Sequence, residues 1–147
     1  MAADTPLRAL TYLVPGIPLA LFEHVTAHVA RALGRGIELA SEERISGPMA
    51  GHVDPFADGA ACEADIGFLC SPSYLYLRSL ERPSIELVPA GFVFDDPRNA
   101  GRPLYFSEVL VRADDPATRF ADLAGRAWGY NDRCSLSGYF STLQALA

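Results

Sequence analysis

The segment that decides the fold is residues 7–40, which read LRALTYLVPGIPLALFEHVTAHVARALGRGIELA. Residues 7–14 form an apolar run rich in strand-forming side chains, and a turn rich in proline and glycine follows it. Apolar residues then recur at helical spacing over residues 19–33, and glycines end this pattern. A second strand is predicted over residues 36–40. A strand, a helix and a strand in this order predict a βαβ unit with two parallel strands.

The same alternation continues in the next part of the chain. Residues 41–61 are polar and punctuated by glycine and proline, which predicts a loop with one helical turn. A buried strand is predicted over residues 64–70, followed by a helix through Tyr74 that Ser71 or Ser73 caps. Open α/β sheets bind ligands at the C-terminal ends of their strands, so Ser71 and Tyr74 are candidate ligand residues. Core packing with a hydrogen-bonded hydroxyl is the alternative for Tyr74.

Three further strands are predicted in the second half of the chain. Residues 84–94 predict a strand interrupted at Pro89, and residues 104–112 alternate strongly in the manner of a strand. A short helix after residue 114 is expected to pack Phe120, Leu123 and Ala124 inward. A last strand over residues 127–130 then leads into a serine-rich turn. The whole pattern predicts an α/β fold with an open, mostly parallel sheet.

The serine-rich turn is the strongest candidate site in the sequence. Ser135 is a favourable N-cap, and a helix is predicted to follow it. The amides of Leu136, Ser137 and Gly138 are then expected to have no partner, which makes the helix start a seat for a phosphate-like or carboxylate anion. The hydroxyls of Ser135 and Ser137 would add donors, and Gly138 permits close approach. The alternative is an ordinary N-cap with a second serine in the first turn.

Composition excludes several classes of partner. The chain has 147 residues and a net charge of −6 without a Lys/Arg cluster, which argues against nucleic acid and anionic membranes as partners. No apolar run approaches the ~20 residues that span a bilayer, so no membrane insertion is expected. The N-terminus makes a poor signal peptide, which predicts a cytoplasmic protein if Met1 is the native start. Three cysteines at irregular spacing predict reduced thiols.

Metal binding and catalysis find little support in the sequence. His24 and His28 lie one helical turn apart, but a third ligand and a general-base glutamate are missing, so a solvated helix face is the expectation. No metal and no cofactor are predicted. Ser135 as a nucleophile with His24, His28 or His52 as its base is the enzymatic alternative. Because no Gly-x-Ser-x-Gly elbow is present, the chain is expected not to be an enzyme.

Four motifs carry a resemblance to a known family: PLYFSEVLVRAD at residues 103–114, DLAGR at 122–126, YND at 130–132 and SLSGY at 135–139. In this order they resemble the phosphate, phosphite and phosphonate-binding proteins of ABC transporters. These are type II periplasmic binding proteins with two α/β lobes and a cleft between them. The resemblance implies lobe one over residues 1–103, and a hinge strand with a partial lobe two over residues 104–147.

The resemblance also implies a function. The ligand would be a small tetrahedral oxyanion, the partner an ABC permease and the compartment the periplasm, with a cytosolic anion sensor of the same fold as the alternative. The positions matching Ser135, Leu136 and Ser137 grip the anion in that family, and the one matching Tyr105 contacts it. Leu136 stands where some relatives have a hydroxyl residue, and the loop at residues 46–49 lacks a tyrosine found in others. The chain stops at Ala147, so a truncated second lobe and weak binding, about −4 kcal/mol, are expected.

Overall fold

A computed structural model describes residues 5–14, 16–43, 46–59 and 62–147. The chain divides into two compact units. Unit 1 comprises Met1–Glu86 together with Cys134–Leu136, and unit 2 comprises Leu87–Arg133 together with Ser137–Ala147.

Unit 1 is a parallel sheet with helices. Its three strands have the order β2-β1-β3, and β1 pairs in parallel with both neighbours. This arrangement confirms the predicted α/β class and the βαβ unit. The elements are β1 (Leu7–Thr11), α1 (Leu19–Leu33), β2 (Ile37–Ser41), α2 (Pro48–Gly51), β3 (Ile66–Phe68) and α3 (Ser71–Arg78).

Helix α1 has the bounds that apolar spacing predicted. Gly34 ends it in the left-handed conformation, with φ of 64°, where the lack of a Cβ avoids strain. The ring of Phe22 is buried against Phe68, with their centroids 4.9 Å apart. Thr26 is buried too, and its hydroxyl donates to the carbonyl of Phe22 at 2.9 Å. The buried face of α1 is therefore packed on the sheet through β3.

A second apolar cluster lies under the loop that precedes β3. Phe56, Ala64 and Leu77 are buried together, and Leu77 is fully inaccessible to solvent. The ring of Phe56 lies over Gly67 of β3, where an added Cβ would come within 2.4 Å of the ring carbon Cζ. Glycine at this position therefore allows the ring to pack directly on the strand. The same loop holds Asp54, whose carboxylate accepts from the Ser84 hydroxyl at 2.8 and 2.9 Å.

Unit 2 contains short helical elements. Two 3₁₀ turns occupy Pro97–Asn99 and Phe120–Leu123. A π-helical turn over Leu136–Phe140 leads into α4 (Ser141–Leu146). The rings of Trp128 and Tyr139 stack at 5.5 Å with an angle of 10° between their planes.

The predicted strands at residues 84–94, 104–112 and 127–130 are wrong for the described chain, since none of these segments forms a strand. A strand exists through hydrogen bonds to a neighbour, and these segments have none of that kind. The predicted helix after residue 114 is also wrong, because only the turn Phe120–Leu123 forms and it buries no residue. Strands β1 and β3 are likewise shorter than their apolar runs, because pairing extends only from Leu7 to Thr11 and from Ile66 to Phe68.

Within the described ranges, no helix has the length and apolar character needed to cross a membrane.

Leu77→Ala should lower the free energy of unfolding by about 2–5 kcal/mol, because it leaves a cavity in the core of unit 1. Leu75→Ala on the same helix is the matched control, since Leu75 is 64% exposed. Urea unfolding followed by circular dichroism measures both. Equal losses in the two variants would contradict the packing described here.

Candidate functional site

The strand order of unit 1 indicates which edge of the sheet is the candidate for ligand binding. The chain leaves β1 toward β2 on one side and then returns to β3 on the other side. In open parallel sheets, ligands bind beyond the C-terminal ends of the strands at such a change of direction. The segments that follow Thr11 and Phe68 therefore define the candidate site within unit 1.

The segment after β3 holds Cys70 and the start of α3. Cys70, not a serine, occupies the N-cap position, and Ser71 is the first helical residue. The predicted capping by Ser71 or Ser73 is therefore wrong. The backbone amide of Leu136 donates to the Cys70 thiol, with a nitrogen to sulfur distance of 3.5 Å. This bond brings the Ser135–Leu136 segment to the beginning of α3, although the two segments lie more than sixty residues apart in the chain.

The sequence predicted that the amides of Leu136, Ser137 and Gly138 have no partner, and this contact corrects that prediction for Leu136. The amide of Leu136 has the Cys70 sulfur as its acceptor, so it is not open as the sequence predicted. The turn after Ser135 is π-helical over Leu136–Phe140, and the α-helix begins only at Ser141. Ser135 itself is buried. Ser135 is therefore not the N-cap of a regular α-helix, because five residues of wider helical turn separate it from α4.

A second contact joins α3 to α2 and the residue before it. Ser73 is fully buried, and its hydroxyl accepts a hydrogen bond from the Met49 amide at 3.4 Å. Gly47 has a φ of 108°, and a Cβ added there would lie 2.5 Å from the Ser73 oxygen. Residues 47–49, which lack the tyrosine of some relatives, therefore pack on the first turn of α3. Tyr74, the neighbour of Ser73, is half-buried on the same helix.

Tyr12 is a residue that the sequence reasoning did not single out. It follows β1 directly, is only 9% exposed, and its amide donates to the Phe68 carbonyl at 3.3 Å. Burial raises the pKa of its phenol, and the carboxylates of Glu63 and Glu42 raise that pKa further. No separate signal in the sequence marks it, because Tyr12 lies inside the apolar run of residues 7–14 and the end of β1 at Thr11 is visible only in the structure.

The remaining predicted ligand residues lie in unit 2. Tyr105 is 60% exposed. Ser137 is held through its backbone, because the Ser107 hydroxyl donates to the Ser137 carbonyl at 2.7 Å. Gly138 lies in the π-helical turn, next to the stacked ring of Tyr139. The structure thus links Ser137 to a residue two positions from Tyr105.

Unit 2 also has an open depression of about 400 Å³ that contains none of the predicted ligand residues. Asp95 and Asp96 line it. Hydrogen bonds from the side chain and the amide of Arg98 lower the pKa of Asp96, which keeps that carboxylate ionised. Negative charge at this depression disfavours an anionic ligand. The C-terminal edge of the sheet in unit 1 is therefore the better candidate for an anion-binding site. Its other lining residues are Val93, Phe94, Pro97, Ala100 and Gly101.

Metal ligands are not assembled in the described part of the chain, where no group of three or more His, Cys, Asp or Glu side chains is placed to hold an ion. His24 uses its Nδ1 atom for a contact of 2.6 Å with the Ala20 carbonyl of its own helix.

The fold of unit 1 is that of an α/β protein whose strand order changes direction at the central strand of a parallel sheet. A family model described as "ABC transporter, phosphonate, periplasmic substrate-binding protein" matches residues 19–147. The chain therefore belongs to the phosphonate-binding family of periplasmic substrate-binding proteins of ABC transporters. Members of this family are solute-binding proteins rather than enzymes. No curated protein and no solved structure shows a significant match to the chain.

Gly47→Ala should destabilise the protein more than Gly59→Ala. Both glycines have positive φ, and Gly47, with φ of 108° and ψ of 174°, has a backbone conformation that is essentially restricted to glycine. A Cβ at Gly47 would also collide with the Ser73 oxygen, whereas a Cβ at Gly59 would meet nothing within 4 Å. Thermal unfolding of both variants measures the difference, to which backbone strain and the contact with Ser73 both contribute at Gly47. Equal losses would contradict the conformation and packing of Gly47 described here.

Proposed function

We propose that this chain is a receptor for a small tetrahedral oxyanion of the phosphonate, phosphate or phosphite class, and that it delivers the anion to an ABC permease. Membership of the phosphonate-binding family over residues 19–147 is the observation that carries this proposal. The family also supports a periplasmic location for the protein. Delivery would require reversible binding without chemical change of the ligand.

Each unit contains residues that we propose as ligand residues. In unit 1 they are Ser71 and Tyr74 on α3, with Ser135 and Leu136 held near them by the Cys70 thiol. In unit 2 they are Tyr105, Ser137 and Gly138. We propose that residues 1–103 form lobe one and that residues 104–147 form the hinge strand and part of lobe two, as in type II binding proteins.

The chemistry of these groups suits an oxyanion. Serine and tyrosine hydroxyls and backbone amides are hydrogen-bond donors, and donors of this kind surround phosphate groups without needing a positive side chain. The net charge of −6 does not oppose the proposal, because short-range dipoles decide the binding of a small anion. Leu136 contributes only its backbone, and its amide would have to leave the Cys70 sulfur in order to reach the ligand. A thiol is a weak acceptor, so an ionised oxygen would compete well for this amide.

Methylphosphonate should bind saturably, and Ser135→Ala should weaken its binding by about 10- to 150-fold. The loss of one hydrogen bond to a charged group costs roughly 1.5–3 kcal/mol. Isothermal titration measures the affinity, and Trp128 fluorescence follows it independently, because this ring stacks on Tyr139 next to Gly138.

Ser79→Ala is the matched control for this experiment. The Ser79 hydroxyl bonds the Tyr76 carbonyl at the far end of α3, so its loss should leave the affinity unchanged. An absence of binding for phosphonate, phosphate and phosphite alike would refute the proposed function. Stoichiometric labelling of Ser135 by a serine-directed phosphonate probe would favour a hydrolase instead.

Ligand binding should also slow the alkylation of Cys70 by iodoacetamide. Cys70 contacts the Leu136 amide, so an anion at this segment would cover the thiol. Cys62 is the internal control, because its thiol lies beside Arg8 and the Ala64 carbonyl instead. Mass spectrometry of the two modified peptides with and without methylphosphonate measures the effect. Equal rates at Cys70 in both conditions would place the anion elsewhere.

A further inference from the structure

Two histidines lie one turn apart on the outer face of α1. Phe22 and Thr26 are the buried residues of this helix, and each histidine follows one of them by two positions. Two positions correspond to a rotation of about 200° around a helix axis, so His24 and His28 lie opposite the buried face. Both histidines are exposed. The pair is therefore accessible to a small ion from solvent.

The ring of His24 has a defined tautomer. Its Nδ1 atom lies 2.6 Å from the carbonyl oxygen of Ala20, in the preceding turn of the same helix. A carbonyl oxygen can only accept a hydrogen bond, so Nδ1 carries the proton in the neutral ring and Nε2 carries the lone pair. Metal-binding histidines commonly donate from their second ring nitrogen to a carbonyl in this way, which orients the ring and makes the ligating nitrogen more basic.

The spacing of the two histidines suits chelation of one ion. Side chains four positions apart on a helix are neighbours, with their Cβ atoms about 5–6 Å apart. We propose that His24 and His28 together bind one late divalent transition-metal ion, of the class of Ni²⁺, Cu²⁺ and Zn²⁺, with Nε2 of His24 as one ligand. Imidazole nitrogens are favoured ligands for these ions.

This site is a surface chelate and differs from the zinc centre that the sequence argued against. Zinc centres in proteins generally have three or four protein ligands, and no group of three suitable side chains is assembled among the residues that the structure describes. Two imidazoles leave the other coordination positions to water. None of the residues proposed to bind the oxyanion lies on α1, so the inference goes beyond the proposed function.

Isothermal titration of the chain, without a histidine tag, with nickel chloride tests the proposal. Ni²⁺ is the better probe because Cu²⁺ oxidises thiols and the chain contains three cysteines. The unchanged chain should bind one Ni²⁺ ion. His24→Asn and His28→Asn should each weaken binding by roughly tenfold or more, because a single imidazole remains and the gain from chelation is lost. Asparagine and histidine have similar helix propensities, so both variants should keep α1.

His52→Asn is the matched control for these two variants. His52 lies outside α1 and has a left-handed backbone conformation, with φ of 50°, which asparagine also tolerates. The affinity for Ni²⁺ should therefore not change in this variant. Absence of Ni²⁺ binding at millimolar concentration would overturn the proposal. So would binding that only one of the two α1 substitutions weakens, since the ion would then contact a single imidazole.

Nuclear magnetic resonance of the imidazole nitrogens gives a second, independent readout. Zn²⁺, which is diamagnetic, should shift the Nε2 resonance of His24 strongly and leave Nδ1 protonated, because Nδ1 donates to the Ala20 carbonyl. Loss of the Nδ1 proton on addition of zinc would contradict the assignment of Nε2 as the ligand.

Discussion

The parallel pairing of β1 on both sides is the interaction on which the rest of unit 1 depends. Ala9 and Thr11 are buried, and Ala9 pairs with Leu39 of β2 and with Ile66 of β3. Because β1 is central, the chain must cross from one side of the sheet to the other between β2 and β3. That crossing brings the end of β3 beside the end of β1 and creates the edge at which Cys70 starts helix α3. The strand order therefore determines where the candidate site lies, and individual side chains determine only what it contains.

The elements that the sequence predicted well are those whose signals are local. Apolar spacing and Gly34 set both ends of α1, and the strand-helix-strand order set the parallel pairing of β1 and β2. The largest failures concern the segments with strand character after residue 84. A helix satisfies its own backbone, but a strand requires a partner, and composition cannot say whether a partner is present. Residues 104–112 illustrate this point, because their alternation is strong and yet no described residue pairs with them.

The candidate site was predictable in part for the same reason. Ser71 and Tyr74 became candidates because they follow a predicted strand, which is a local observation. The bond between the Leu136 amide and the Cys70 thiol joins distant parts of the chain, and nothing in the spacing of either residue indicates it. Tyr12 was overlooked because a tyrosine within an apolar run resembles any other core residue. Its surroundings distinguish it, since burial and two carboxylates raise the pKa of its phenol.

These electrostatic surroundings also bear on where an anion would bind along the edge of the sheet. Glu42 follows β2 and Glu63 precedes β3, and the negative charges of both raise the pKa of the Tyr12 phenol. The end of β1 is therefore unfavourable for an oxyanion, because a second negative charge there would be repelled. The start of α3 offers the opposite environment, with the dipole of an eight-residue helix and an amide held by a weak sulfur acceptor. Under the proposed function, an anion at this edge would lie toward Ser71 and Leu136 rather than toward Tyr12.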